Sequence, residues 1–157
     1  MIRCYIDIET TGLDPKTGAI TRISCIKAKG SYVLDIVDWL LNPGMRVPTN
    51  LIAMTGLKQE ILDLSPPLSE IKPLFLAFTK NCELIGWGTF ENNWLRHFGL
   101  CYHVVNAIDK VKPVLNRRHV ANFQLKTVAE SLGITLRHHD SLSDALCVYQ
   151  ILNVVGV

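Results

Sequence analysis

Charge is scarce in this sequence. Of 157 residues only 19% are Asp, Glu, Lys or Arg, against 48% apolar, and sixteen bases nearly cancel fourteen acids to leave +2. That balance excludes a basic tail and neither demands nor forbids a nucleic-acid ligand. Long apolar runs are missing too: none approaches the roughly 18 residues that cross a bilayer. The opening Met1-Ile2-Arg3-Cys4-Tyr5-Ile6-Asp7 lacks the charged region and long apolar stretch of a signal peptide. The expectation is a cytoplasmic protein with no membrane partner. Five cysteines, an odd number, include no CxxC pair, which argues against a zinc site or a disulfide framework and for buried or incidental thiols. Internal repeats, linkers and low-complexity stretches are also absent. Residues 1–157 therefore read as one compact domain, large enough to bury a core.

One unevenness survives within the neutral total. Residues 110 to 139 hold six Lys or Arg against Glu130 alone, a local +5.

The opening segment alternates, Cys4, Ile6 and Ile8 against Tyr5, Asp7 and Glu9, the two-residue period of a strand that Thr10-Thr11-Gly12 then breaks. Residues 20–27 and 32–41 are rich in β-branched and aromatic side chains and flank Lys29-Gly30-Ser31, so they predict a hairpin added to that strand. A short helical turn is expected at Leu51 to Met54, stopped by Thr55-Gly56. Leu68, Ile71, Leu74, Phe75 and Phe78 predict the buried stripe of a helix, whose start Pro73 would move past Ser69. Residues 82–87 and 102–108 read as buried strands, with helices at 91–98, 110–115, 125–132 and from Leu142 onward. Strands first and helix-strand alternation afterwards predict an α/β domain. Its mixed five-stranded sheet would have three antiparallel strands, then two parallel ones, flanked by helices.

Asp7 and Glu9, two apart on a strand, project from one face and suit either a shared cation or simple solvation. His139 and Asp144, with four residues between them, bring a base and a further ligand from the other end of the chain. Carboxylates from separate elements favour a hard divalent cation such as Mg²⁺ or Mn²⁺, and an imidazole titrating near neutrality suits water activation.

Three blocks in order carry a family resemblance: Asp7-Ile8-Glu9-Thr10-Thr11-Gly12-Leu13, then Gly86 through Phe90-Glu91-Asn92-Asn93-Trp94-Leu95, then His139-Asp140-Ser141-Leu142-Ser143-Asp144-Ala145. They resemble D-x-E-T-T-G-L, F-D-x-x-x-L and H-x-x-x-x-D-A of the DEDDh 3′-to-5′ exonucleases. That group has the ribonuclease H-like fold and includes proofreading subunits of bacterial DNA polymerases. Met54-Thr55-Gly56-Leu57 and Gln124 to Ala129 support it, and the likeness runs from about Ile2 to Leu152.

The resemblance implies two ions, Mg²⁺ or Mn²⁺, held by Asp7, Glu9, Glu91 and Asp144, with His139 as general base. The reaction would release nucleoside 5′-monophosphates from single-stranded DNA or RNA 3′ ends. Thr10 and Gly12 would meet the 3′ end through their backbones, Leu13 would pack on the terminal sugar or base, and Met54 would wedge beside a base. Leu13 and Met54 equally suit a core. Lys126, Arg117, Arg118 and Arg137 suit either upstream phosphates or a solvated face. His138 is expected to flank the site and Asp140 to cap the last helix rather than bind metal.

Glu91 departs from the pattern, standing where the family has Asp, with its carboxylate one bond, about 1.5 Å, further out. Binding through a water, a shifted helix, a reduced activity and a solvated first-turn Glu are the open consequences, and neutral Asn92 could assist. Two functional classes follow: an active metal-dependent exonuclease, with a polymerase or other protein as partner, or a catalytically impaired module of the same fold that binds nucleic acid or protein.

Overall fold

A computed structural model describes residues 1–115, 120–137 and 139–157. Its framework is a five-stranded sheet in the order β3-β2-β1-β4-β5. Strand β1 (Arg3–Thr10) pairs antiparallel with β2 (Ile20–Lys29), which pairs antiparallel with β3 (Tyr32–Leu40). On its other side β1 pairs parallel with β4 (Glu83–Gly86), and β4 with β5 (Val105–Asn106). The expected mixed sheet is thus observed.

Helices α1 (Thr49–Thr55), α2 (Gln59–Asp63) and α3 (Leu68–Phe78) lie between β3 and β4. Helix α4 (Phe90–His97) links β4 to β5, and α5 (Ala107–Val111), α6 (Leu125–Ser131) and α7 (Ser141–Val155) complete the chain. No helix among the described residues is long and apolar enough to cross a membrane.

The two-residue alternation of β1 builds two cores. Cys4, Ile6 and Ile8 point into one with Phe75, Trp94 and Leu95, while Tyr5 points into the other with Val128, Val148 and Ile151. Tyr5 meets Tyr149 of α7 edge-on, ring centroids 5.3 Å apart. Asp7 and Glu9 share the Tyr5 face, so the apolar packing of α7 brings that helix beside two carboxylates. Cys4, Cys25 and Cys147 are buried, and all five cysteines are free thiols.

Several elements differ from the sequence pattern. Pro73 lies inside α3 instead of delaying its start. It sits on the solvent side with Ser69, whose carbonyl loses its helical donor where water can replace it. Leu74 is 53% exposed, because Ile71, Phe75 and Phe78 already define the inward face. The strand expected over 102–108 shrinks to two residues. Asn106 accepts from the N–H of Ile108 and caps α5, which starts at Ala107 and not at Lys110. Helix α2 was not expected from the pattern at all.

Candidate active site

The site forms where β1 and β4, adjacent and parallel, end at the same edge of the sheet. Carboxyl ends of neighbouring parallel strands open a crevice because the chain leaves them toward different elements. Here β1 runs into the Thr10-Thr11-Gly12 turn and β4 into the start of α4. The β1–β2 register slips between Glu9 and Thr10, the kind of bulge that re-aims side chains at a sheet's rim. Thr11 then closes the turn, its N–H donating to the Ala19 carbonyl and its hydroxyl accepting from the Ala19 N–H, both at 2.9 Å. The Thr10 hydroxyl donates to the Gly12 carbonyl at 2.6 Å.

Four carboxyl groups from three separated elements face one another: Asp7 and Glu9 from β1, Glu91 from the first turn of α4, and Asp144 from the first turn of α7. Burial drives the Asp7 carboxyl well above the usual range, with Glu91, Asp144 and Glu9 adding repulsion. Glu9 is pushed up to about 7 by burial and by Asp144, against the pull of Arg22. Glu91 rises to about 7, burial outweighing the hydrogen bonds from its own backbone N–H and from Asp7. Asp144 rises to about 6 through burial and the charge of Asp140.

Two buried oxygens, Glu91 Oε2 and Asp144 Oδ1, have no hydrogen-bond partner among the described residues. A buried acceptor without a donor costs about 1–3 kcal/mol and more when charged, so such atoms are rarely left idle. The donor set is all oxygen and anionic, which fits a hard divalent cation. Among the described residues no group of three His, Cys, Asp or Glu side chains is arranged as a ready cage. Asp7 and Glu91 lie within hydrogen-bonding reach of each other, close enough to share a proton when one of them is protonated.

The remaining expected residues gather beside this cluster. Thr10, Gly12, Leu13 and Met54 all line one cleft of about 320 Å³ that also contacts Glu9. Leu13 is 88% and Met54 43% exposed, so neither is a core residue. Phe90, Leu51 and Asn50 line the same cleft and were given no role from the sequence, where Phe90 figured only as the first residue of the block resembling F-D-x-x-x-L.

Helix α7 is held by a polar network, of which the sequence indicated the Asp140 cap and not the partners of Arg22, Ser24 and Ser141. Asp140 caps it, accepting from the N–H groups of Leu142 and Ser143 at 3.1 and 3.3 Å. Arg22, opposite Glu9 in the β1–β2 register, pairs with Asp38 at 2.7 Å and reaches Asp140 at 3.4 Å. The Ser24 and Ser141 hydroxyls, both buried, lie 2.6 Å apart. Ser24 donates its one proton to Asp38 at 2.8 Å, so Ser141 must donate to Ser24.

His139 occupies the exposed turn entering α7, one residue before the cap, with a left-handed backbone at φ 58°. Asn92 Oδ1 accepts from the Val104 N–H at 2.9 Å, which ties the start of α4 to the segment before β5. Glu91 itself is 4% exposed, which removes the solvated first-turn reading. Lys126 sits 3.8 Å from Glu130 one turn away, and Arg137 is exposed. Arg117, Arg118 and His138 lie outside the described residues.

The sequence profile of the RNase T family of exonucleases matches residues 4–152. The chain belongs to this family. It is a 3′-to-5′ exonuclease domain of the DEDDh type, a family that is typically metal-dependent. It is 29% identical over 155 residues to the PolC-type DNA polymerase III of Thermotoga maritima, covering 93% of this chain and 11% of that protein. To the DNA polymerase III epsilon subunit of Aquifex aeolicus it is 25% identical over 160 residues, covering 93% and 76%. The chain thus spans about a tenth of the PolC-type polymerases it matches.

Solved structures share the ribonuclease H-like fold. Escherichia coli exonuclease I in complex with a dT13 oligonucleotide aligns at TM-score 0.79 and 13% identity, over 99% of this chain and 41% of that one. The nuclease domain of 3′hExo, a DEDDh family member bound to rAMP, aligns at TM-score 0.79 and 18% identity, over 98% and 90%.

Proposed function

We propose that this exonuclease domain removes nucleotides one at a time from the 3′ ends of single-stranded nucleic acid, releasing nucleoside 5′-monophosphates. The observation that carries the reading is the meeting of Asp7, Glu9, Glu91 and Asp144 beside a cleft lined by Thr10, Gly12, Leu13 and Met54. Acids and cleft come from distant parts of the sequence, and their adjacency is what cutting a terminal phosphodiester requires.

Asp7, Glu9, Glu91 and Asp144 would hold two Mg²⁺ or Mn²⁺ ions. When bound, such ions lower the pKa of water and stabilise charge growing on a leaving oxygen. The protein's own part begins with the cleft. Leu13 and Met54 give apolar surface to the terminal sugar and base, and the Thr10 to Gly12 backbone fixes the 3′ end. Contacts of this kind read base faces and backbone rather than base edges, so little sequence preference is expected. His139, in the exposed turn that enters α7, accepts a proton from the attacking water, its left-handed turn directing the chain into the α7 cap.

The test is degradation of 3′-labelled single-stranded DNA and RNA with Mg²⁺ or Mn²⁺, beside an Asp7→Ala control. Metal-dependent release of labelled mononucleotide by the natural chain, absent from the control, is the expected result. A chain that binds the strands but releases nothing at any metal concentration would instead be a module that keeps the fold for binding.

A further inference from the structure

Gly86 is the last residue of β4, paired in parallel register with Asn106 of β5. Its φ is not positive, so the backbone does not call for glycine there. The space does. A Cβ at position 86 would lie 2.9 Å from Glu91 Oε2, 3.2 Å from Glu91 Cδ and 3.3 Å from Glu91 Cγ. All three close atoms belong to one side chain, and that side chain is the acid that is one bond longer than the family pattern.

We propose that Gly86 is a positioning residue for Glu91: the side chain missing from β4 leaves the volume that the carboxyl end of the longer Glu91 side chain occupies. The proposal deepens the exonuclease reading and rests on it. Physically, Gly86 is fixed in the sheet by its pairing with Asn106 and Glu91 lies in the first turn of α4, so the Glu91 side chain is freer to move than either backbone. Glu91 is 4% exposed, with its Oε2 buried and without a hydrogen-bond partner among the described residues, and its carboxyl group interacts with Asp7. With only the methylene-to-carboxyl end to move, a methyl at position 86 would push the carboxylate out of the cluster and leave the sheet in place. The fold would tolerate that change better than the site. Conversely, Glu91→Asp withdraws the carboxylate and leaves a methylene-sized void against Gly86. Joining both changes fills that void with a methyl group, a nearly volume-conserving exchange of the kind cores accept best.

A double-mutant cycle tests this on the intact chain. Mn²⁺ binding is followed by the loss of free-ion electron paramagnetic resonance signal, and the thermal midpoint of metal-free protein serves as the fold control. Gly86→Ala and Glu91→Asp are each expected to weaken Mn²⁺ binding at least tenfold, and the double variant to recover most of that loss, in binding and in strand degradation alike. Losses that simply add in the double variant, or Gly86→Ala binding Mn²⁺ as the natural chain does, would overturn the pairing while leaving the exonuclease reading intact. Natural protein that binds no Mn²⁺ would overturn both. Should Gly86→Ala fail to fold, restored folding on adding Glu91→Asp supports the pairing, and continued failure refutes it.

Discussion

His139 shows how a single residue can carry a chemical and a conformational demand together. Its φ of 58° lies where β-carbon sterics disfavour most side chains but tolerate His and Asn better than others. A substitution to Ala would therefore mix loss of the imidazole with backbone strain. His139→Asn keeps a residue suited to the left-handed turn and removes the titratable nitrogen. The expected outcome is a fall in turnover of about 10²- to 10⁴-fold, the usual worth of a general base, with an unchanged thermal midpoint. Turnover within twofold of the natural chain in single-turnover assays would exclude His139 as the base. At this scale the sequence was informative: Asp7, Glu9 and Asp144 sit in the expected cluster, and Thr10, Gly12, Leu13 and Met54 share a cleft. The part it hid is the fit between Gly86 and Glu91, because a missing side chain carries no pattern until its neighbour is in place.

At the scale of elements, α7 matters most, since it brings Asp144 to β1. Apolar packing sets the helix on the sheet, and the hydroxyl chain from Ser141 through Ser24 to Asp38 fixes its first turn. The chain has a direction, which makes its two ends unequal. Ser24→Ala leaves the buried Ser141 hydroxyl without its acceptor, and should cost about 1–3 kcal/mol in urea unfolding. Ser141→Ala should cost less, because Ser24 keeps its bond to Asp38. Equal costs would show that the protons run otherwise. This network joins positions more than a hundred residues apart, which no local periodicity can reveal. Strand β5 illustrates the reverse case. Tyr102 to Ile108 satisfies the strand pattern, yet Tyr102 is 98% exposed and Asn106 turns the chain into α5, so capping outweighed propensity. The long alternating strands β1 to β3 were legible because one period decides each of their faces.

For the molecule as a whole, the crowded acids tie folding to pH and to cations. Folded, the carboxyls of Glu9, Glu91 and Asp144 keep protons up to about pH 6 to 7, whereas unfolded ones lose them near 4. The folded state therefore binds more protons across that interval, and stability falls as pH rises from about 4 to 7, then levels off. Chelator-treated protein should show this decline in its thermal midpoint. Saturating Mn²⁺ should raise the midpoint, by more at pH 7.5 than at pH 5, because the ion displaces those protons. At about a hundred times the dissociation constant the gain is about 2.7 kcal/mol, or about 5–10 °C for a chain of this size. A metal-free midpoint that is flat across this range, or a gain from Mn²⁺ that is greater at pH 5, would refute the linkage. The near-neutral sequence total concealed this, since it spreads over the whole chain acids that the fold concentrates.

The placement of Asp7 on the first strand and Asp144 on the last helix has a consequence for the protein's synthesis. Chains emerge N-terminus first, at about 5–20 residues per second. While α7 is still inside the ribosome, β1 to β3 can already pair, but the fourth acid has not arrived. The carboxyl cluster is therefore assembled only when its last contributor, α7, leaves the ribosome, however early the sheet pairs.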